Sequence, residues 1–345
     1  MPKLPPVKKY VVGNVRIYRI PCWVFEYLSA RVYLILGAGP ATLVDTGSGQ
    51  GESTEQILAG IETVREEFGE DVAVGDIRRI LITHGHVDHV GGLWQMLEHT
   101  DAQLGIHPLD CRAITMPEER AVLGKRRMLD FLRRAGVESK RCEEIVGPDR
   151  YRRVKRPGIP VTYSLEDGLE LDGIRVIHTP GHAPGHVCLA IGDVLLTGDH
   201  ILAKTVSQQW PESMIPHTGL GHYLDSLDKI ASTGRFALGL PAHEPVIEEI
   251  KHRVDVIRAS HERRLGRIVN IVAESSSPLS IDQITDRMYS TRTGFHAVLA
   301  LTDVGARVEY LHQHGRLEVV NLDEVERAAI PVCRYVAPPC AGPIE

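Results

Sequence analysis

Within six consecutive positions, His84-Gly85-His86-Val87-Asp88-His89 places four side chains of metal-ligand type. Side chains two apart on an extended backbone point the same way, so His84 and His86 can hold one ion together. Asp88 and His89 lie past a turn and can reach a second position nearby. A lone histidine is commonly a packed or surface residue, but four ligand-type side chains around one glycine are hard to explain that way. Three later positions repeat the design. His182 follows Thr179-Pro180-Gly181, where Pro and Gly stop a strand and force a loop. Asp199 follows Leu195-Leu196-Thr197-Gly198, and His243 follows Leu240-Pro241-Ala242. Ligands at the ends of several strands can converge at one edge of a sheet. Neutral imidazoles suit Zn²⁺ or Fe²⁺, and carboxylates offset part of the charge of divalent ions. The chemistry such a group offers is metal-assisted hydrolysis.

The elements that must position these residues read as an α/β arrangement. Ile80 to Thr83 is a short buried strand leading into the histidine cluster, and Val90 to Leu97 reads as the opening of a helix. Upstream, Val15–Ile20, Arg31–Leu36 and Ala41–Asp45 alternate as strands. Ile57, Leu58, Ile61, Val64 and Phe68 have helical spacing. A second β run covers Val161–Leu165, Leu169–Leu171, Ile174–His178, Val187–Ile191 and Val194–Thr197, followed by a helical face at Tyr223–Ile230 and a strand at Ala237–Pro241. Two β-rich halves separated by helices predict an αββα sandwich over residues 11–249.

From about Ile250 the pattern changes. Three helices are expected, at Lys251–Glu274, after Ser280, and at Ala297–His312, with a strand at Gly315–Val320. This is a winged-helix-like pattern over 250–335, followed by a flexible tail at 336–345. Its helix ending at Tyr310–Gly315 is not notably basic, so a packing or dimerising role, including a possible homodimer, is favoured over nucleic-acid binding.

With 345 residues, 43% hydrophobic and 24% charged, the chain can bury a large core and falls among globular proteins. The N-terminus lacks the apolar stretch of a secretory signal and no run approaches a membrane span, so a cytoplasmic protein without membrane attachment is expected. Six cysteines without a paired CxxC spacing argue against a disulfide framework or a zinc ribbon. Cys188 is read as a core residue. The net charge of −6 gives no global case for nucleic acid, but it is unevenly spread. Between Pro117 and Pro160 thirteen basic residues face seven acids, so this segment carries +6 and the remainder −12. A basic, mostly helical insertion is expected at about 117–157.

In combination and in this order, HGHVDHVGG, TPGHAPGH, LLTGD and LPAHE resemble the metallo-β-lactamase-fold hydrolase superfamily, and Val44-Asp45-Thr46-Gly47 is similar to its first motif. The resemblance covers roughly Val11 to Glu249. The C-terminal part resembles the winged-helix appendage of a branch that includes a mitochondrial lactamase-like endoribonuclease and many bacterial hydrolases. By position, the resemblance assigns His84, His86 and His182 to a first metal. It assigns Asp88, His89 and His243 to a second, with Asp199 bridging and Asp45 structural. It implies two divalent ions, Zn²⁺ first with Fe or Mn as alternatives, sharing a hydroxide that attacks the substrate. Asp88 and Asp199 are the candidates to orient that nucleophile or move a proton. His178 and His186 are expected to support the site by hydrogen bonding. His217, His222 and Tyr223, and Arg126 and Arg127 in the basic insertion, are candidates to touch substrate.

The expected function is hydrolysis of a thioester or ester of a small anionic, acyl-CoA-like molecule, with the insertion supplying phosphate-binding cations. The alternatives are cleavage of single-stranded RNA and lactone hydrolysis.

Overall fold

The computed structural model describes residues 2–147, 155–290 and 293–339. The chain divides into two compact units. The first comprises residues 1–117, 156–207 and 226–254, and the second 118–155, 208–225 and 255–345.

The first unit holds two sheets. One has seven strands in sequence order: β1 (Lys8–Val12), β2 (Val15–Phe25), β3 (Leu28–Leu36), β4 (Thr42–Val44), β5 (Arg79–Leu81), β6 (Gln103–Ile106) and β7 (Tyr163–Ser164). The other has five: β8 (Glu170–Leu171), β9 (Ile174–His178), β10 (Val187–Ile191), β11 (Val194–Gly198) and β12 (Leu238–Pro241), in the order β12-β11-β10-β9-β8. Alternation along β3 explains how they pack. Tyr33 and Ile35 join Val176, Val187, Leu189 and Leu196 in a core between the sheets. Val32, Leu34 and Leu36 point to the opposite face and join α1 (Ser53–Phe68) through Ile57, Ile61 and Val64. This is the expected αββα sandwich. β1 escapes the sequence pattern because it is an edge strand with mostly exposed side chains, paired only with β2.

One expected helix is broken in two. The segment after His86 forms α2 (Val87–Val90) and α3 (Leu93–Met96), separated by Gly91 and Gly92. A Cβ on Gly91 would lie 2.1 Å from the carbonyl oxygen of Ser48, and one on Gly92 would lie 2.1 Å from that of Thr46. The two glycines let the motif's backbone sit directly on the loop after β4, which no larger residue would allow. A short helix, α4 (Arg112–Thr115), follows β6.

The second unit gathers the basic segment and the C-terminal helices. α5 (Pro117–Arg134) and α6 (Ser139–Val146) carry most of the cations, while Arg150, Arg152 and Arg153 lie outside the described residues. The chain passes between units within α7 (Leu220–Thr233) and α8 (Ile250–Ala273). There follow α9 (Ile281–Met288), α10 (Gly294–Gln313), β13 (Glu318–Val319), α11 (Leu322–Arg327) and β14 (Tyr335–Val336), with β13 and β14 antiparallel. α9 begins with a reciprocal cap between Ser280 and Gln283. The basic segment is thus packed with the C-terminal helices: the backbone N–H of Asp282 donates to the Ala135 carbonyl at 2.8 Å, and Arg141 pairs with Asp282 at 3.6 Å. The tail expected from 336 starts inside β14, and residues from 340 onward lie outside the described residues. Among the described residues no helix is long and apolar enough to cross a membrane.

Candidate metal centre

The seven ligand-type residues leave the C-terminal ends of strands from both sheets of the first unit. His84 follows β5, His86 precedes α2, and Asp88 and His89 lie on α2. His182 sits in the loop after β9, Asp199 directly after β11, and His243 just beyond β12. The backbone N–H of Val187 donates to the Thr83 carbonyl at 2.9 Å, joining the two sheets where the motifs end.

These loops bring the seven side chains into two adjoining sets. One ligand atom from each of His84, His86 and His182 lies within 4.8 Å of the others, and the same holds for Asp88, His89, Asp199 and His243. Asp199 lies between the sets. Its Oδ2 is 3.6 Å from Nε2 of His182 and 3.5 Å from Nε2 of His89, and its Oδ1 is 3.5 Å from Nε2 of His243.

The rings are oriented by bonds on their far nitrogens. Nδ1 of His89 donates to Oδ2 of Asp45 at 2.8 Å, and Asp45 is itself held by the Thr83 backbone N–H at 2.8 Å. Nδ1 of His243 donates to the Ser29 carbonyl at 2.9 Å. Each bond fixes the tautomer and turns Nε2 toward the centre. Asp45 is therefore structural, as expected. His186 supports the site from behind: its Nε2 accepts the Asp199 backbone N–H at 3.0 Å, and its Nδ1 bonds to the Thr179 hydroxyl at 2.8 Å. His178 lies farther back, stacked on His107 with centroids 3.9 Å apart and Nε2 bonded to the Pro184 carbonyl at 2.8 Å.

Electrostatics separate the two sets. Burial, reinforced by His89 and the other surrounding imidazoles, drives the His84 ring well below its usual range, so it is neutral. Burial also pushes His89 down, but Asp199, Asp45 and Asp88 outweigh it and raise the ring well above the ordinary value. For Asp88, burial pushes the carboxyl up, yet His89 and His243 hold it down at about 2; burial likewise pushes Asp199 up, and His243 and His89 outweigh it and hold it well below its ordinary value. Both acids are ionised at neutral pH.

The donor set fits divalent metal ions. Nε2 of His89 and Oδ1 of Asp199 are buried without a hydrogen-bond partner, which is costly unless something else satisfies them. Three imidazoles in one set and two carboxylates with two imidazoles in the other are the donors that borderline divalent cations take.

The remaining candidates lie in the second unit. His222 bonds through Nε2 to Oε1 of Glu212 at 2.9 Å, and its ring is 5.9 Å from that of His217. Tyr223 is fully buried, with its ring 5.4 Å from and edge-on to His261. On α5, Arg126 is exposed and pairs with Asp130 at 3.3 Å, and Arg127 is exposed. Cys188 is buried on β10, its thiol pushed up to about 12 by burial, which matches a core residue. The cysteines among the described residues are all free.

Several supports of the site carry no signal in a single sequence. Ser29 acts through its backbone carbonyl. Glu244 does so with its side chain, accepting the Lys204 backbone N–H at 2.6 Å beneath the His243 loop. Thr83 is flagged only by standing next to His84.

Residues 27–236 match the profile described as the metallo-beta-lactamase superfamily, and the chain belongs to that superfamily. Within it, the chain is a metallo-hydrolase with a His/Asp cluster able to hold metal ions. It is 24% identical over 285 residues to an atrochrysone carboxyl ACP thioesterase of Aspergillus chevalieri, covering 80% of this chain and 70% of that protein. It is 25% identical over 319 residues to a beta-lactamase-like protein 2 homolog of Caenorhabditis elegans, covering 91% and 88%. A solved metallo-beta-lactamase family protein from Thermus thermophilus shares the fold, with a TM-score of 0.71 and 24% identity over 93% of this chain and 98% of that one.

Proposed function

We propose that the protein uses two divalent ions, with Zn²⁺ the first candidate, to hydrolyse a thioester or ester of a small anionic, acyl-CoA-like substrate. The observation that carries the hydrolytic part is the placement of Asp199 between a three-imidazole set and a second set of Asp88, His89 and His243. The similarity to an acyl-carrier thioesterase over most of the chain favours a thioester as the bond broken. Bound ions would polarise the attacked carbonyl and make a water nucleophilic near neutral pH.

The chain's own residues do the rest. His84, His86 and His182 offer three imidazole nitrogens, and Asp88, His89, His243 and Asp199 offer two carboxylates and two imidazoles. Asp45 accepts the Nδ1 proton of His89, so it is Nε2 that faces the centre. Asp88 and Asp199 are the only acids in the two sets, and both are partly reachable, with side chains 13% and 11% exposed. Ionised at neutral pH, they act as acceptors: Oδ2 of Asp88 can orient the attacking water and take its proton.

The test is a substrate panel with metal-reconstituted protein: acyl-CoA thioesters followed with a thiol reagent, lactones, and labelled single-stranded RNA. Thiol release that disappears on chelation and returns with added metal is the expected result. RNA cleavage with no thiol release from any thioester would overturn the substrate class, and full activity of metal-free protein would overturn the metal dependence.

A further inference from the structure

One buried acid outside the seven touches both loops that carry the three-imidazole set. Asp110 is 2% exposed and lies in the turn between β6 and α4. Its Oδ2 accepts the backbone N–H of Gly85 at 2.8 Å, and Gly85 is the residue between His84 and His86. Its backbone is the seat of the other loop. A Cβ on Gly185 would lie 2.9 Å from both Cβ and the amide nitrogen of Asp110, so the His182–His186 loop rests directly on it. Asp110 itself is fixed from both sides. Its N–H donates to the His107 carbonyl and its own carbonyl accepts from Ala113, each at 2.9 Å. The second set has different anchors, Asp45 for His89 and the Ser29 carbonyl for His243.

We propose that Asp110 is a positioning residue dedicated to the three-imidazole set, holding the His84-Gly85-His86 loop and the His182 loop at one spacing. A carboxylate bonded to a buried amide is a stronger and more directional tether than a neutral acceptor. Removing the carboxylate takes away the bond that ties the Gly85 amide to the residue on which the His182 loop rests, so the His84 and His86 rings lose their fixed spacing from His182. The other set, anchored elsewhere, keeps its own. This inference rests on the reading of the two sets as metal sites.

The experiment compares wild-type full-length protein with D110A and D110N. Each is stripped with a chelator and titrated with Zn²⁺ against a chromophoric competitor, and Co²⁺ absorption spectra report the geometry of each ion's surroundings. Wild type is expected to bind two ions. D110A is expected to bind one ion as wild type does and the other about 10–100-fold more weakly, with the Co²⁺ spectrum of only one ion altered. D110N retains a side-chain oxygen for the Gly85 amide and is expected to recover most of the lost affinity. Should D110A fail to fold, D110E keeps the charge, displaces the acceptor by one methylene, and is expected to show the same selective loss. Wild-type affinity for both ions in D110A or D110E overturns the proposal, as does an equal weakening of both. A wild type that binds no ion would instead overturn the metal reading beneath it.

Discussion

The first unit contains a half-buried polar cluster around Glu70 and a buried one at the strand ends, and they are built on opposite principles. Around Glu70, every charge is answered by the protein. Arg16 donates Nε at 2.7 Å and a second guanidinium nitrogen at 2.9 Å, Lys9 donates at 3.3 Å, and the Tyr18 hydroxyl donates as well. At the strand ends, Asp88, His89, Asp199 and His243 crowd together, yet His89 Nε2 and Asp199 Oδ1 have no hydrogen-bond partner. Groups of the first kind contribute to stability, because each is satisfied. Those of the second kind cost stability and persist where a ligand satisfies them. The difference separates a structural cluster from a functional one without reference to any motif.

Asp199→Ala breaks the comparison most severely. Losing the carboxylate between the sets should lower kcat/KM about a thousandfold and reduce the bound metal below two per chain. Metal analysis and steady-state kinetics check this: a variant that keeps two ions per chain and wild-type kcat/KM would remove Asp199 from the centre. Asp45→Asn is the next largest. The amide can still accept from Thr83, but its NH₂ cannot accept the His89 Nδ1 proton in the same pose. A loss of about 10–100-fold in metal affinity is expected, read by chelator competition and confined to one of two ions.

A smaller effect is expected at Arg156, whose guanidinium donates to the Gly91 carbonyl at 2.8 Å and lies 4.7 Å from the Trp94 ring. A cation at the C-terminal end of α2 favours that helix end, and α2 carries Asp88 and His89. Arg156→Ala should cost about 1 kcal/mol of stability and a few-fold in kcat/KM, with Arg156→Lys intermediate. Unchanged melting in Arg156→Ala would show the strap to be incidental.

Much of this was legible in the sequence because the candidate ligands and the strands are coupled: several of these side chains stand just past an apolar run. They are His84, His182, Asp199 and His243. The three C-terminal helices follow from the spacing of Val254, Ile257, Leu265 and their successors and from the Ser280 cap. The supports were not legible, for a physical reason. Asp110 is an ordinary acid in a turn, and it matters only because a backbone amide 25 residues away meets it. Ser29 contributes a carbonyl that any residue could present. The basic segment reads as an insertion of the catalytic domain because it lies between strands of that domain. Its packing with α9 and α10 depends on contacts more than a hundred residues apart, which no local pattern encodes.

Glu70→Gln tests the other half of the comparison and should have the smallest effect on catalysis, leaving kcat/KM within about twofold, since substitutions remote from a site act nearly independently of it. Its effect is on stability and on how stability varies with pH. Burial pushes the Glu70 carboxyl up, but the bonds from Arg16, Tyr18 and Lys9 prevail and hold it at about 2, against an ordinary value of 4.5. A group whose value is depressed on folding stabilises the folded state above its unfolded value, and that contribution is lost as pH falls through the folded one. Wild type should therefore melt above Glu70→Gln at neutral pH, with the gap constant down to about pH 4.5 and closing toward pH 2. Thermal unfolding of the two metal-free proteins at pH 7, 4.5 and 3, compared as differences, isolates this cluster from the protonation of histidines common to both. A gap that stays constant to pH 3 would mean that the carboxylate's charge, as distinct from its shape, contributes nothing, and the Glu70 cluster would no longer stand as the satisfied counterpart of the metal site.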